Sequence, residues 1–573
     1  AEAALKVNPS SLEALTALAA AQFFKGERAG FEATRARILA FNPKYAELYA
    51  TLADLSVQTR RYGQAVEFAQ QAVALDSTSW RSHGILGINL MRQGKIAEGR
   101  KSLETAFNGD RHNPWFKNTL DLLDTMGRFK EVDVGRFRIA ADPREIDLLV
   151  PYVAELGEEA YQKLSARYQT QLEGPIRIEL FFSHADFSVR TVGLAGLGAL
   201  GAAFGNVLVL DSPSAREAGT FNWGTTLWHE LAHAFHLALS DHRVPRWLTE
   251  GLAVLEERRA RPGWGDDIAP GFIAAYKEDK LLPVSQLNNG FVRPKYPEQI
   301  GYSYFQASLV AEQIEQEFGT AAILNMLRAY RAGQSTEQVF RSVLKTEPEA
   351  YDKKFDQWLR QRYARHIAAV KASSSDREPR VEDLGDYAVQ LIRAQELMRE
   401  KKYDEALPIL QRAKALFPEY AGNDSPYAML AHVYREKGDL QKAAAELAAL
   451  TALNETNYDA NMQLADIMEK AGNAAGAAAA LERAVYIYPM QPVLHTKMAD
   501  LYKKTGVLKK VVRERQALLA LNPVDKAEAH YQLAVAHHEA GDAANARREV
   551  LRALEEAPSF EKAQQLLLTL RGR

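Results

Sequence analysis

The chain has 573 residues, 47% of them hydrophobic and 25% charged, and a formal net charge of −2. That composition belongs to an ordinary globular protein of roughly three or four domains, with no basic field for nucleic acid and no acidic tail. There is no cysteine. Disulfides, thiolate metal sites and cysteine nucleophiles are therefore excluded, and histidine and carboxylates remain as metal ligands. The lack of cysteine also suits an exported bacterial protein, in the periplasm or envelope, slightly better than a cytoplasmic one.

The first 130 residues repeat. Asn8-Pro9, Asn42-Pro43 and Asp76-Ser77 follow one another at 34-residue intervals, and Asp110 keeps the register. Gly26, Arg60 and Gly94 mark the middle of each unit. A helix–turn–helix period of this length resembles the tetratricopeptide repeat. The opening segment 1–9 reads as the end of a helix in an array already under way, as expected if upstream residues have been removed. A closing helix is expected over about 113–128.

From residue 131 the pattern changes. A strand is predicted over 132–141, a long helix over roughly 144–172, and a second, half-buried strand over 176–182, where apolar and polar residues alternate. The run 191–210 carries no charge and is long enough to span a bilayer. Its five glycines, Asn206 and the absence of basic flanks instead predict a Gly-rich loop entering a buried strand at 206–210. The G-x-G-x-x-G within it, Gly196 to Gly201, precedes a strand rather than a helix, which argues against dinucleotide binding. Helices are expected over 223–239 and 246–259, near 271–279, over 303–318, and onward to about 370. Segment 371–380 is a polar linker. Repeats then resume, with Gly438, Gly472 and Gly506 spaced by 34 residues and Gly541 by 35. About five units and a capping helix through Leu570 are predicted. The expected division is 1–130 repeats, 131–370 a compact central domain, 371–386 linker, and 387–573 repeats: a mainly α chain with α-solenoids flanking a central α+β domain.

The central domain contains H-E-x-x-H, from His229 to His233. On a helix, positions i and i+4 share one face, so both imidazoles can point at one metal ion. Glu230, rotated by about 100°, flanks that position as a general base for the attacking water must. Zinc then needs a third protein ligand and an open position. The continuation x-x-G-x-x-H fails, since His236 and Leu239 occupy those positions. His236 lies on the same straight helix and cannot converge with the other two at metal–ligand distances. Glu250, in W-x-x-E-G-x-A on the next helix, is the ligand that remains.

HELAH followed by WLTEGLA resembles the gluzincin (peptidase MA-like) zinc metallopeptidases, and more narrowly the bacterial members fused to tetratricopeptide repeats. The resemblance implies a thermolysin-like domain over roughly 131–370. It also implies one zinc ion on His229, His233 and Glu250, and Glu230 as base and proton shuttle. It matches GNVLVLD, 205–211, to the edge strand that holds substrate backbone. It implies a tyrosine donor to the oxyanion, with Tyr304 the first choice and Tyr302 the second. No G-x-M-E-N element for a substrate amine is present, so the resemblance points to an endopeptidase. The implied partners are a peptide or protein substrate and proteins held by the repeats, with no nucleic acid and no integral membrane segment. The competing reading is a repeat scaffold whose peptidase-like domain is silent or latent. His242, Glu256 and Glu257 are expected to be solvated surface, with a supporting place behind the metal ligands as the alternative, and Asp266-Asp267 to be a turn.

Overall fold

The structure, a computed structural model, describes residues 1–370 and 386–571; the predicted linker therefore lies outside the described residues, but for Asp386. The chain is mainly α, with one small mixed sheet. Among the described residues, no helix is long and apolar enough to cross a membrane.

The N-terminal helices pair as expected: Leu12–Lys25 with Arg28–Phe41, Glu47–Gln58 with Tyr62–Leu75, and Trp80–Arg92 with Ile96–Gly109. Pro114–Met126 closes the series, its first turn capped by Asn113. Each turn between paired helices needs one left-handed residue. Gly26 and Gly94 supply it at φ 78° and 77°, whereas the middle turn places Arg60 there, at φ 59°. A non-glycine residue is disfavoured in that region, and this turn sits at the functional site.

The sheet runs β1 (Lys130–Val134), β2 (Phe137–Ala141), β3 (Ile176–Phe181), β5 (Val207–Asp211) and β4 (Gly201–Ala203), in that spatial order. The single strand expected over 132–141 is instead a hairpin, folded at Gly135 and pairing Val132 with Ile139. The β2–β3 and β3–β5 pairs are parallel. A second correction concerns 205–211. This strand is not an edge, because β3 flanks it on one side and β4 on the other. The Gly-rich run folds back to form β4, and that short strand takes the edge. As an interior strand, β5 is apolar up to its last residue, the buried Asp211. A short helix that the sequence did not announce, α2 (His184–Val192), is started by Ser183, whose side chain accepts from Asp186 N–H.

Alternation along the strands explains how the parts join. Ile178, Leu180, Leu208 and Leu210 face the core of the central domain, together with α1 (Ile146–Tyr168) and α3 (Trp223–Ser240). Phe181, Val207 and Val209 face the other way, onto Tyr62, Met91, Leu103 and Phe116 of the N-terminal repeats. The face expected to be solvated is thus covered by the first array. Glu179 on that face is fully buried, with Arg177 Nε at 2.6 Å and Arg190 Nε at 2.7 Å as its partners. A buried carboxylate without such partners would be strongly unfavourable.

The second array closes on the other side. Trp223 Nε1 donates to the Val485 carbonyl (3.0 Å), and Glu455 N–H donates to the Pro262 carbonyl (3.0 Å). One hydrophobic cluster runs from Leu149 and Trp223 into Leu481, Val485 and Leu494. The central domain is therefore clasped by both arrays rather than standing between them. Within it, α4 (Arg246–Ala260) and α5 (Gln299–Phe318) cross closely. A Cβ at Gly251 would stand 2.5 Å from the Ala307 carbonyl.

Candidate metal centre

Asn222 caps α3 by accepting from Thr225 N–H, and Leu227, Leu231 and Phe235 bury its inner face. The opposite stripe carries His229 and His233. Asp241 and His242, both left-handed at φ 50° and 59°, turn the chain back. Pro245 then opens α4 and brings Glu250 opposite the two histidines. One donor atom from each of His229, His233 and Glu250 lies within 4.8 Å of the other two. Glu250 Oε2 is 3.3 Å from His229 Nε2 and 3.1 Å from His233 Nε2.

The outward nitrogens are engaged as well. His229 Nδ1 meets Glu257 Oε1 at 3.0 Å, and His233 Nδ1 meets Thr249 Oγ1 at 2.8 Å. Both rings therefore turn Nε2 inward, and their outer nitrogens are held by a carboxylate and a hydroxyl in the way that orients metal-ligating imidazoles. Glu250 Oε1 accepts from Arg246 Nε at 3.1 Å and has Arg60 Nη2 at 3.8 Å, which leaves Oε2 for a ligand. Two nitrogens and one oxygen, each oriented from behind, are a donor set that fits zinc with an open position.

Glu230 lies in the same cavity, buried, and its Oε2 has no hydrogen-bond partner. Burial, helped by Glu250 and Glu257 and opposed by His229, pushes its carboxyl up to about 8. Burial pushes His233 down to about 4. Burial works against charge on His229 too, but Glu257 and Glu250 outweigh it and hold its pKa well above the ordinary imidazole value. Gly201 of β4 packs directly on Glu230; a Cβ there would stand 2.6 Å from Oε1.

The two tyrosine candidates separate. Tyr304 lines the cavity together with Arg246, and its ring lies 6.3 Å from that of His229. Burial, then Glu250, raises its phenol, which stays a donor. Tyr302 does not reach the site. It packs edge-on against Phe272 (6.2 Å) instead, because two residues along a helix rotate a side chain by about 200°. His236 is buried behind the site, with Nδ1 at 3.2 Å from Thr249 Oγ1.

The surface reading fails for Glu256 and Glu257. Both are buried, Glu256 against Arg167, Arg259 and Tyr168, and Glu257 against His229. His242 is partly enclosed, edge-on to Tyr62 at 6.1 Å, and Asp266 lines the cleft beside Gly265. Thr249, Arg246 and Arg60 were not read from the sequence. The first two lie one and four residues before Glu250, where a helix places a neighbour and a same-face partner. Nothing local announces Arg60.

The model of the Peptidase MA superfamily matches residues 159–361. Tetratricopeptide-repeat models match 46–79, 428–492 and 515–561. Among solved structures, the chain is similar to YrrB, described as a TPR protein with an unusual peptide-binding site, at 19% identity over 31% of this chain and 89% of that one, with a TM-score of 0.23. It is similar to MamA of Desulfovibrio magneticus RS-1 at 18% identity, over 30% and 97% of the two chains, with a TM-score of 0.21. A thermophilic TPR protein of Thermus thermophilus gives 21% identity, 33% and 100% coverage, and a TM-score of 0.16. No curated protein matches the chain. Residues 159–361 are a Peptidase MA superfamily domain, and the chain joins that domain to tetratricopeptide repeats on both sides.

Proposed function

We propose that this protein is a zinc metallopeptidase that cleaves internal peptide bonds, and that its repeats recruit the substrate or a protein partner. The observation that carries this reading is the convergence of His229, His233 and Glu250, with Glu230 unpartnered in the same cavity. A zinc ion bound there supplies Lewis-acid polarisation of the scissile carbonyl and activates water.

The chain's own groups do the rest. Glu230 takes a proton from the attacking water and returns it to the leaving nitrogen. Tyr304 donates a hydrogen bond from its hydroxyl to the oxyanion, and Arg246, in the same cavity, holds Glu250 in place. The outer edge of β4, next to Glu230, offers backbone groups to an extended peptide. The repeat helices supply extended surfaces of the kind that bind peptides.

The test uses the full chain. It measures metal content by mass spectrometry and casein cleavage before and after chelation, with zinc added back. One zinc per chain with cleavage that follows the metal supports the reading. A protein that takes up no zinc and cleaves nothing, yet binds partners through its repeats, is the scaffold instead.

A further inference from the structure

Arg92 is the last residue of the repeat helix Trp80–Arg92, and its charge has no acidic partner among the described residues. Nη1 donates to Asn89 Oδ1 (3.1 Å) and Nη2 to the Thr191 carbonyl (3.1 Å), while Nε is enclosed with no hydrogen-bond partner at all. The guanidinium lies over the rings of Tyr62 and Phe204, at 5.3 and 5.4 Å. Arg190, the neighbouring cation, is already committed to Glu179 and the Met91 carbonyl. Burial, with the like charge of Arg190, pushes Arg92 below the ordinary guanidinium pKa. Such a charge is costly to hold unless an anion joins it.

Arg92 also occupies a junction. It lines the cavity that holds His229, Glu230, His233, Glu250 and Tyr304, and it lines the groove of the N-terminal repeats beside Trp80 and Trp115. Arg60, from the turn of the preceding repeat, lines the same cavity. Its contact with Glu250 is loose, at 3.8 Å, whereas Arg246 already bonds that carboxylate at 3.1 Å. Two guanidinium groups lining one cavity, neither fully used, match a carboxylate, which guanidinium binds through paired N–H donors.

We propose that Arg92 and Arg60 form a subsite, on the side of the cleft built by the N-terminal repeats, for a carboxylate of the peptide substrate. The two sources of that group are the peptide's C-terminal carboxylate and an Asp or Glu side chain. The word substrate rests on the peptidase reading, but the binding does not need hydrolysis.

The experiment uses the full-length E230Q protein loaded with zinc and immobilised. Three mixtures of N-acetylated random pentapeptides are passed over it: free acids without Asp or Glu, the corresponding amides, and amides containing one Asp or Glu. Retention of either carboxylate-bearing mixture at least tenfold above the neutral amides is expected, and the mixture retained identifies the source. Arg92→Gln and, separately, Arg60→Gln should each abolish the preference, read as the ratio of carboxylate-bearing to neutral mixture retained by the same variant. Equal retention of all three mixtures, or a preference that survives either substitution, overturns the subsite. In parallel, the parent protein is assayed for cleavage of the same mixtures. A preference without cleavage counts against the peptidase reading alone, and cleavage without a preference counts against the subsite alone.

Discussion

Thr249 places its hydroxyl 2.8 Å from His233 Nδ1, and the same oxygen lies 3.2 Å from His236 Nδ1. One hydroxyl can accept from the first imidazole and donate to the second, so His233 is fixed with Nε2 toward Glu250. Thr249→Val keeps the shape and removes both bonds. It should weaken zinc binding by about 10–100-fold, read by competition against a chelator of known affinity. Thr249→Ser should retain most of the affinity. Unchanged zinc affinity in the valine protein would remove Thr249 from this role.

Glu230 is unpartnered at Oε2 and is not among the three converging donors. Glu230→Gln should leave zinc content and thermal stability close to those of the parent and lower kcat/KM by about 10²–10⁴-fold. A variant that digests casein at the parental rate would rule out Glu230 as the base.

Gly201 lets β4 lie on Glu230: an added Cβ would meet Oε1 at 2.6 Å, Cγ at 2.7 Å and Thr226 Cγ2 at 2.8 Å. Gly201→Ala must move either the carboxylate or the edge strand. Turnover should fall on the order of tenfold or more, with little change in melting temperature, because β4 is a three-residue edge. A drop in stability without a drop in rate would contradict this.

Gly251 sets how near α5 comes to α4, and Tyr304 sits one turn before its contact, Ala307. Overpacking here should cost about 1–3 kcal/mol. Gly251→Ala should therefore lower both the melting temperature and kcat, whereas a comparable loss of stability elsewhere should lower the melting temperature alone.

Tyr152 of α1 donates to Glu514 Oε2 at 2.8 Å, and His495 Nδ1 meets the same oxygen at 2.7 Å. Burial alone would raise the Glu514 carboxyl, but hydrogen bonding from His495 and the charge of Arg513 outweigh it and hold the group below its ordinary 4.5. A depressed carboxyl adds stability above its unfolded pKa and loses it as pH falls through the folded one. Contact between the central domain and the C-terminal repeats should therefore weaken as pH is lowered below about 4.5, seen as faster proteolysis between them. Tyr152→Phe should destabilise the contact by about 1–3 kcal/mol at neutral pH.

Local pattern determined much of this protein. The 34-residue register located the repeat turns, the i, i+4 spacing put His229 and His233 on one face, and Glu250 was reached by eliminating His236. Each of these follows from a short-range period that one stretch of chain carries by itself. Tertiary structure decided what depends on distant segments meeting. It made Val207–Asp211 an interior strand by laying 201–203 along its edge, and it buried Glu179 and Glu257 by bringing Arg190 and His229 to them. It decided that the helix face bearing Tyr304, and not the one bearing Tyr302, meets the cleft, and it carried Arg60 and Arg92 from the first repeats into the lining of that cleft. Alternation along a strand shows that a face is polar, but whether water or another array covers that face is set by packing between segments far apart in the chain.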